Sequence, residues 1–212
     1  MTSLRILHED ERLVVVDKPA GQATAPGGRI GEGESLQEHV AEHLGTKAFA
    51  VHRLDRETSG AIVFAKTAES HRLLSQQFED RAVTKRYLAL VARHVEAASG
   101  EISAPLREFG SGRVGIDPEG KPSLTAWMLK ERLPENDLLQ ITPRTGRRHQ
   151  IRVHLYSIGH PILGDTRYGT DRPVGGAVRL MLHASELVLA DGLAIRAELP
   201  ADFMEAVAAR RG

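Results

Sequence analysis

The chain has 212 residues, 41% of them apolar and 26% charged; this fits one soluble domain, or one domain of two lobes around a shared core, and is too short for more. A formal net charge of zero argues against a globally basic, non-specific nucleic-acid binder, and no apolar run approaches the roughly 20 residues that cross a bilayer. There is no cysteine, hence neither disulfide framework nor cysteine nucleophile, and the N-terminal MTSLRILHEDERL lacks the features of a signal peptide, so a cytoplasmic location is expected.

LVVVDK (13–18) is a short apolar run closed by Pro19 and Gly21 and reads as a strand entering a loop. After the glycine-rich PGGRIGEG comes SLQEHVAEHLG, where Ser35 and Glu38 have capping-box spacing, Leu36, Val40 and Leu44 share a face, and Gly45 ends the helix. GAIVFAK (60–66) reads as a buried strand, and Thr67 caps a helix over AESHRLLSQQFEDR with Leu73, Leu74 and Phe78 inward. Strands are expected at KRYLALVARH (85–94), SLTAWMLKE (123–131), LLQIT (138–142) and LMLHASELVLA (180–190), and helices at about 148–158 and 201–210. The span from Pro105 to Pro122 is loop-rich and reads as the most flexible or variable region. Strands outnumber helices without regular alternation, which predicts an α+β fold with a mixed, largely antiparallel sheet and flanking helices.

GSGRVG (110–115) matches the G-x-G-x-x-G dinucleotide fingerprint in letters only. No apolar strand precedes it and IDPEGKP cannot open a helix, so it reads as a loop. The histidines lack metal-ligand spacing: His149 and His154 are five apart, and no H-E-x-x-H or cysteine set exists, so no metal is expected.

Two stretches concentrate charge. In HRLDRETSG (52–60), a strand over 49–53 places Asp55 where the chain leaves the sheet, between Arg53 and Arg56, whose guanidinium groups favour an ionised carboxylate. Read alone, an ion-paired surface turn accounts for the stretch better than a catalytic one, because exposed ion pairs are common. In RTGRRHQIRVHLYSIGHPILGD (144–165), Arg144, Arg147, Arg148 and Arg152 fall in a gap between Asp137 and Asp165 that holds no acidic residue. Gln150 and His154 lie four apart on the expected helix, as do Arg148 and Arg152, and a helix N-terminus flanked by arginines is an anion site suited to phosphate. A solvated basic face is the plainer alternative, and the lack of acidic partners weighs against it.

Together these segments resemble the RluA-type RNA pseudouridine synthases. HRLDRETSG is similar to the segment around that family's catalytic aspartate, DKPAG (17–21) to its N-terminal motif and KRY (85–87) to its tyrosine segment. TGRRHQIRVHL with GHPILGD resembles its second long signature, and LMLHASEL the strand near its C-terminus. The resemblance runs from about residue 5 to residue 203, and no S4-like segment precedes it, so residues 1–212 are expected to form a single catalytic domain of the short type. It implies the pseudouridine synthase fold with a central RNA-binding cleft, and isomerisation of uridine to pseudouridine in a structured RNA, a stem-loop of 23S rRNA, tRNA or both.

The resemblance also assigns residues. Asp55 takes the place of the essential aspartate, acting at C1′, on the base or on the sugar; Tyr87 stacks on the extruded base; Arg152 pairs with the aspartate; and Arg53 fills the gap left by the flipped nucleotide. Arg56, Arg144, Arg147, Arg148 and His149 are expected to contact RNA with Arg53. The chemistry needs no cofactor, and a monomer is expected. Two rival readings stand beside it: a glycosidase or nucleoside hydrolase with Asp55 and Glu57 as paired carboxylates, and a non-catalytic RNA-binding module.

Overall fold

The computed structural model describes residues 4–27, 34–169 and 177–211, so most of PGGRIGEG lies outside the described residues. The chain forms two compact units, one of residues 1–85 with 184–198 and one of residues 86–183 with 199–212.

The first unit is built on β1 (Ile6–Glu9), β2 (Leu13–Lys18) and β4 (Ser59–Ala65), paired antiparallel in the order β1, β2, β4. Every residue of β4 is buried, and β2 is buried except at Asp17, as expected of strands covered on both faces. Between them lies α1 (Leu36–Leu44), whose ends are those expected: Ser35 and Glu38 form a reciprocal capping box, and Gly45 closes the helix in the left-handed region at φ 64°. The helix α2 (Ala68–Glu79) is capped by the Thr67 side chain and directs Ser70, Leu74 and Phe78 inward. Leu73 does not follow them; it is 47% exposed, because the inward stripe runs at intervals of four through 70, 74 and 78 and leaves 73 on its flank. Leu13, Val15, Val63, Leu74, Val83, Leu187 and Ile195 share one core, the last from β12 (Ala194–Arg196), which pairs with β11 (Leu182–Val188).

The strand expected over 49–53 is only β3 (Phe49–Ala50), paired with Ala65 and Phe64 of β4. The chain then leaves the sheet at the point where residue 51 would meet Val63. The amide of Val63 is answered instead by a side chain: His52 Nε2 accepts its N–H at 3.2 Å. The imidazole stacks on Phe78, with ring centroids 4.6 Å apart. Burial, aided by the charge of Lys85, pushes the His52 pKa down to about 3, so this nitrogen stays an acceptor. Gly60 in β4 has φ +114°, and a Cβ there would lie 2.3 Å from the carbonyl oxygen of Ala184.

In the second unit β5 (Thr84–Ala92), β10 (Asn136–Pro143), β9 (Leu124–Arg132) and β6 (Ser99–Ser103) pair antiparallel in that order, and Tyr87 stands opposite Ile141. The helix α3 (Gln150–Ser157) is buried from Gln150 to Leu155, and α4 (Ala201–Ala208) buries Phe203 and Val207. The span 105–122 is not merely loop. It folds into a hairpin of β7 (Leu106–Glu108) and β8 (Val114–Ile116), closed at its base by paired backbone bonds between Leu106 and Lys121. Three-residue strands carry too little alternation to be read from sequence. GSGRVG is the turn of this hairpin, leading into β8. Leu106 and Val114 pack with Val153 and Tyr168 in a small separate core. Antiparallel pairing and flanking helices match the expected α+β class.

Two expectations follow. Gly192 has φ +88° with nothing within 4 Å of its Cβ position, so Gly192→Ala carries only conformational strain, of about 1–2 kcal/mol. Gly60→Ala adds a backbone collision, for a total of roughly 3 kcal/mol or more, and lowers the melting temperature by at least about twice as much as Gly192→Ala; equal losses contradict the packing argument. Separately, the unfolded chain protonates His52 near pH 6.5 while the folded one resists to about pH 3, so the unfolded state binds more protons in this window and stability falls as pH falls. His52 contributes a slope of at most ~1.4 kcal/mol per pH unit, and His154, also lowered by burial, adds to it with the same sign. Urea unfolding between pH 4 and 7 shows a flatter profile for His52→Gln, and identical slopes contradict the assignment.

Candidate active site and nucleic-acid interface

Asp55 lies in the first unit. It opens a turn in which Thr58 N–H donates to the Asp55 carbonyl at 3.0 Å, immediately before β4. The residues on either side of it are immobilised. The Leu54 backbone is clamped by the buried Thr24 hydroxyl, which donates to Leu54 O (3.0 Å) and accepts from Leu54 N–H (3.2 Å). Arg56 is held through its carbonyl, which accepts from Lys18 Nζ (3.0 Å) and Gly21 N–H (2.8 Å), while its own Nε donates to Gly21 O (2.7 Å).

Lys18, fully buried at the end of β2, organises this arrangement; its ammonium also donates to the carbonyls of Pro19 (2.9 Å) and Gln22 (2.8 Å). Sequence reasoning quoted DKPAG but gave Lys18 no task. The available signal was a lysine terminating an apolar run, where burial is expected and the charge needs oxygens around it. The side chains of Arg53 and Arg56 are exposed, and neither makes an ion pair among the described residues. The loop is therefore not an ion-paired surface turn through these arginines, and the Arg56 Nε is engaged by the Gly21 carbonyl.

The second charged stretch lies in the other unit. Its turn is locked by Gln150, 4% exposed, whose Oε1 accepts from Thr145 Oγ1 (2.8 Å) and Arg147 N–H (3.0 Å). The Gln150 Nε2 group donates to Leu124 O and Thr125 Oγ1, both at 3.0 Å. Thr125 Oγ1 lies 2.9 Å from His154 Nδ1, and His154 Nε2 donates to Ala104 O at 3.0 Å. Burial lowers the His154 pKa, which fixes a neutral ring with the proton on Nε2. In this network the Thr145 hydroxyl, the Arg147 amide, the Gln150 amide and His154 Nε2 each have a defined acceptor. The expected anion site at the helix start is altered by this network, since Gln150 occupies the Arg147 amide. The cap residue His149 stands in the left-handed region at φ 53°.

The arginines separate into two groups. Arg144, Arg147 and Arg148 are exposed. Arg148 precedes α3 rather than lying on it and pairs with Glu108 of β7. Arg152 is buried and pairs with Asp165. The run without acids in sequence is therefore not without acidic partners in space. Arg107, Lys121, Arg147 and Arg148, with Glu108 and Glu119, line a cleft of about 480 Å³ beside the β7–β8 hairpin. His149 is 9% exposed, and its Nδ1 lies 2.7 Å from the Tyr168 hydroxyl, so its ring serves the interior of the loop rather than an open face. Tyr87 is likewise 9% exposed. Among the described residues no group of three histidine or acidic side chains is placed to hold a metal ion, and no helix is long and apolar enough to cross a membrane.

Residues 12–157 match the family model described as RNA pseudouridylate synthase. The chain is 39% identical over 188 residues to the dual-specificity RNA pseudouridine synthase RluA of Pasteurella multocida, covering 87% of this chain and 85% of that protein. It is 39% identical over 199 residues to the ribosomal large subunit pseudouridine synthase D of Nitrosomonas europaea, covering 88% of this chain and 58% of that one. The structure of human RNA pseudouridylate synthase domain containing 4 superposes with a TM-score of 0.82 at 26% identity, covering 98% of this chain and 93% of that chain. With a family model matched over most of its length and relatives 39% identical across most of both chains, the chain belongs to the RNA pseudouridylate synthase family, as an RluA-type enzyme that isomerises uridine within RNA.

Proposed function

We propose that the enzyme modifies uridines in stem-loops of 23S rRNA, tRNA or both, with Asp55 as the essential carboxylate, Tyr87 as the stacking surface for the extruded uracil and Arg152 as the cationic residue of the reaction. The observation that carries this reading is the loop around Asp55: a carboxylate whose two neighbours are pinned by Thr24 and Lys18 suits a reacting group that must not drift. The names of the relatives support RNA as substrate, and that of the Nitrosomonas europaea protein supports the large ribosomal subunit.

In the reaction the N1–C1′ bond breaks, the uracil turns, C5 bonds to C1′, the C5 hydrogen leaves as a proton and N1 takes up a proton, so that the product is an isomer of the substrate. Attack at C1′, addition to the base and abstraction from the sugar all require Asp55 in its ionised form. Extrusion of a stacked base costs a few kcal/mol and is cheapest in a loop, which favours stem-loop substrates. Arg53, Arg56, Arg144, Arg147 and Arg148 provide exposed cations for the phosphates, and the buried His149 acts by shaping the turn that presents the last two. The enzyme acts as a monomer and without a cofactor.

Two measurements test the proposal. Tritium release from 23S rRNA and tRNA transcripts labelled at uridine C5 is expected from the parental protein and absent from Asp55→Asn, a loss of at least about a thousandfold if the carboxylate is the reacting group; release by the variant at the parental rate rejects the role of Asp55. RNA affinity is expected to fall roughly tenfold to a hundredfold between 50 and 200 mM salt, with a shallower dependence in the Arg144→Ala/Arg147→Ala double variant. A salt-independent affinity rejects the electrostatic face.

A further inference from the structure

The guanidinium of Arg152 is fixed with more contacts than an ion pair needs. Asp165 Oδ2 accepts from Arg152 Nε and Asp165 Oδ1 from Arg152 Nη2, both at 2.8 Å. The side chains are 4% and 1% exposed. Asp165 Oδ1 accepts two further bonds, from the backbone N–H groups of Arg167 and Tyr168, each at 2.9 Å. The loop thus closes on the carboxylate, and the ring of Tyr168 comes to lie 5.2 Å from Arg152 Cζ. Tyr168 is itself held at its far end, where its hydroxyl accepts from Val114 N–H at 3.0 Å and meets His149 Nδ1 at 2.7 Å.

The mounting of Asp165 is equally rigid. Gly164 precedes it at φ +74°, and a Cβ there would lie 1.8 Å from the carbonyl oxygen of Arg179, so the backbone packs directly on backbone. Leu163 donates to Leu90 O and accepts from Met181 N–H, both at 2.9 Å. A buried ion pair is weak evidence for stability, because removing two charges from water offsets much of their attraction and an apolar pair of similar volume often serves as well. What a bidentate pair supplies that an apolar pair does not is a defined plane and direction for the guanidinium.

We propose that Asp165 is the positioning residue of Arg152, setting the direction in which its guanidinium is presented to the reaction, with the Tyr168 ring supporting its flat face. This rests on the role proposed above for Arg152. Asp165 acts on the reaction through Arg152, directly by the bidentate pair and indirectly by the loop that sets the Tyr168 ring against it.

The test uses single-turnover tritium release from the same C5-labelled 23S rRNA and tRNA transcripts, with RNA affinity measured in parallel, for Arg152→Met, Asp165→Asn, Asp165→Glu and the Arg152→Met/Asp165→Asn double variant. Asp165→Glu keeps the charge and moves the carboxylate by one methylene, so a positioning role costs on the order of a hundredfold in rate, with affinity within about threefold of the parent. The double variant leaves no unpaired buried charge and is expected to be no slower than Arg152→Met alone, since a residue acting through Arg152 has nothing left to act on. A parental rate for Asp165→Glu overturns the proposal, even where Asp165→Asn fails to fold. Losses that multiply in the double variant overturn it as well. If the parental protein releases no tritium from either RNA, the functional reading falls and this inference with it; if the parent is active and Arg152→Met is unimpaired, only the roles of Arg152 and Asp165 fall.

Discussion

A buried ammonium has to be surrounded by oxygen, and the shape of the aspartate loop follows from how that requirement is met at Lys18. The residue ends a strand whose first four residues are apolar and has no access to water, so an unpartnered charge there costs several kcal/mol. Three carbonyls meet the need, and two of them, from Pro19 and Gln22, come from the chain that immediately follows. That segment must therefore curl back on the end of its own strand, through Gly21 at φ +89°. The third carbonyl belongs to Arg56, one residue beyond Asp55, so the same electrostatic demand that bends the first loop draws the second loop to it. Thr24, two residues after Gln22, then reaches the backbone of Leu54. The loop that carries Asp55 thus takes its shape from the oxygens that a buried lysine requires.

The second unit solves a related problem with neutral groups. Gln150, Thr125, Thr145 and His154 are all buried, and an amide, two hydroxyls and an imidazole have enough donors and acceptors to satisfy one another only in one set of directions. A network of that kind specifies a geometry more than it adds stability, since each member is costly if its partner is lost. Here the geometry specified is that of the turn carrying Arg147 and Arg148 and of the start of the helix that bears Arg152. The neutral state of His154 is part of the same specification, because a protonated ring would place two donors where one donor and one acceptor are required.

The parts of this structure that the sequence made legible are those whose causes are local. The capping box at Ser35, the left-handed stop at Gly45, the Thr67 cap and the apolar runs of β2, β4, β5 and β10 each depend on a few adjacent residues. Leu73 was misplaced because periodicity identifies a stripe but not which side of it meets the core. The strands β1, β6, β7, β8 and β12 escape such a reading, since three to five residues with mixed polarity carry no period, and β3 is legible only as a longer strand than the two residues that pair. The site divides in the same way. The motifs drew attention to Asp55, Arg152 and the arginine turn, whereas Lys18, Thr24 and Glu108 act across 30 residues or more, or through backbone atoms, which side-chain letters do not encode. His52 shows the point most directly: its letter invites a reading as ligand or base, while its ring replaces a missing strand carbonyl.

The same distinction resolves how a chain of zero net charge serves a polyanionic substrate. Net charge averages over two populations that the fold keeps apart. Many of the acids are engaged internally: Asp137 is fully buried and accepts from Val95 N–H and faces His94, Asp165 holds Arg152, Asp202 holds Arg179, and Glu38 completes a helix cap. Arg53, Arg144 and Arg147 are exposed and make no ion pair among the described residues. An acid whose field is cancelled by a close partner contributes little at a distance, so the surface around an unpaired arginine is more positive than the composition implies. Arg148 stands between the two populations, since Glu108 already occupies its guanidinium and a phosphate has to displace a carboxylate to reach it. Under the proposed role, what Arg148 adds to RNA affinity is the difference between two charge-assisted bonds rather than the whole of one, so within the second unit the greater share falls to Arg144 and Arg147.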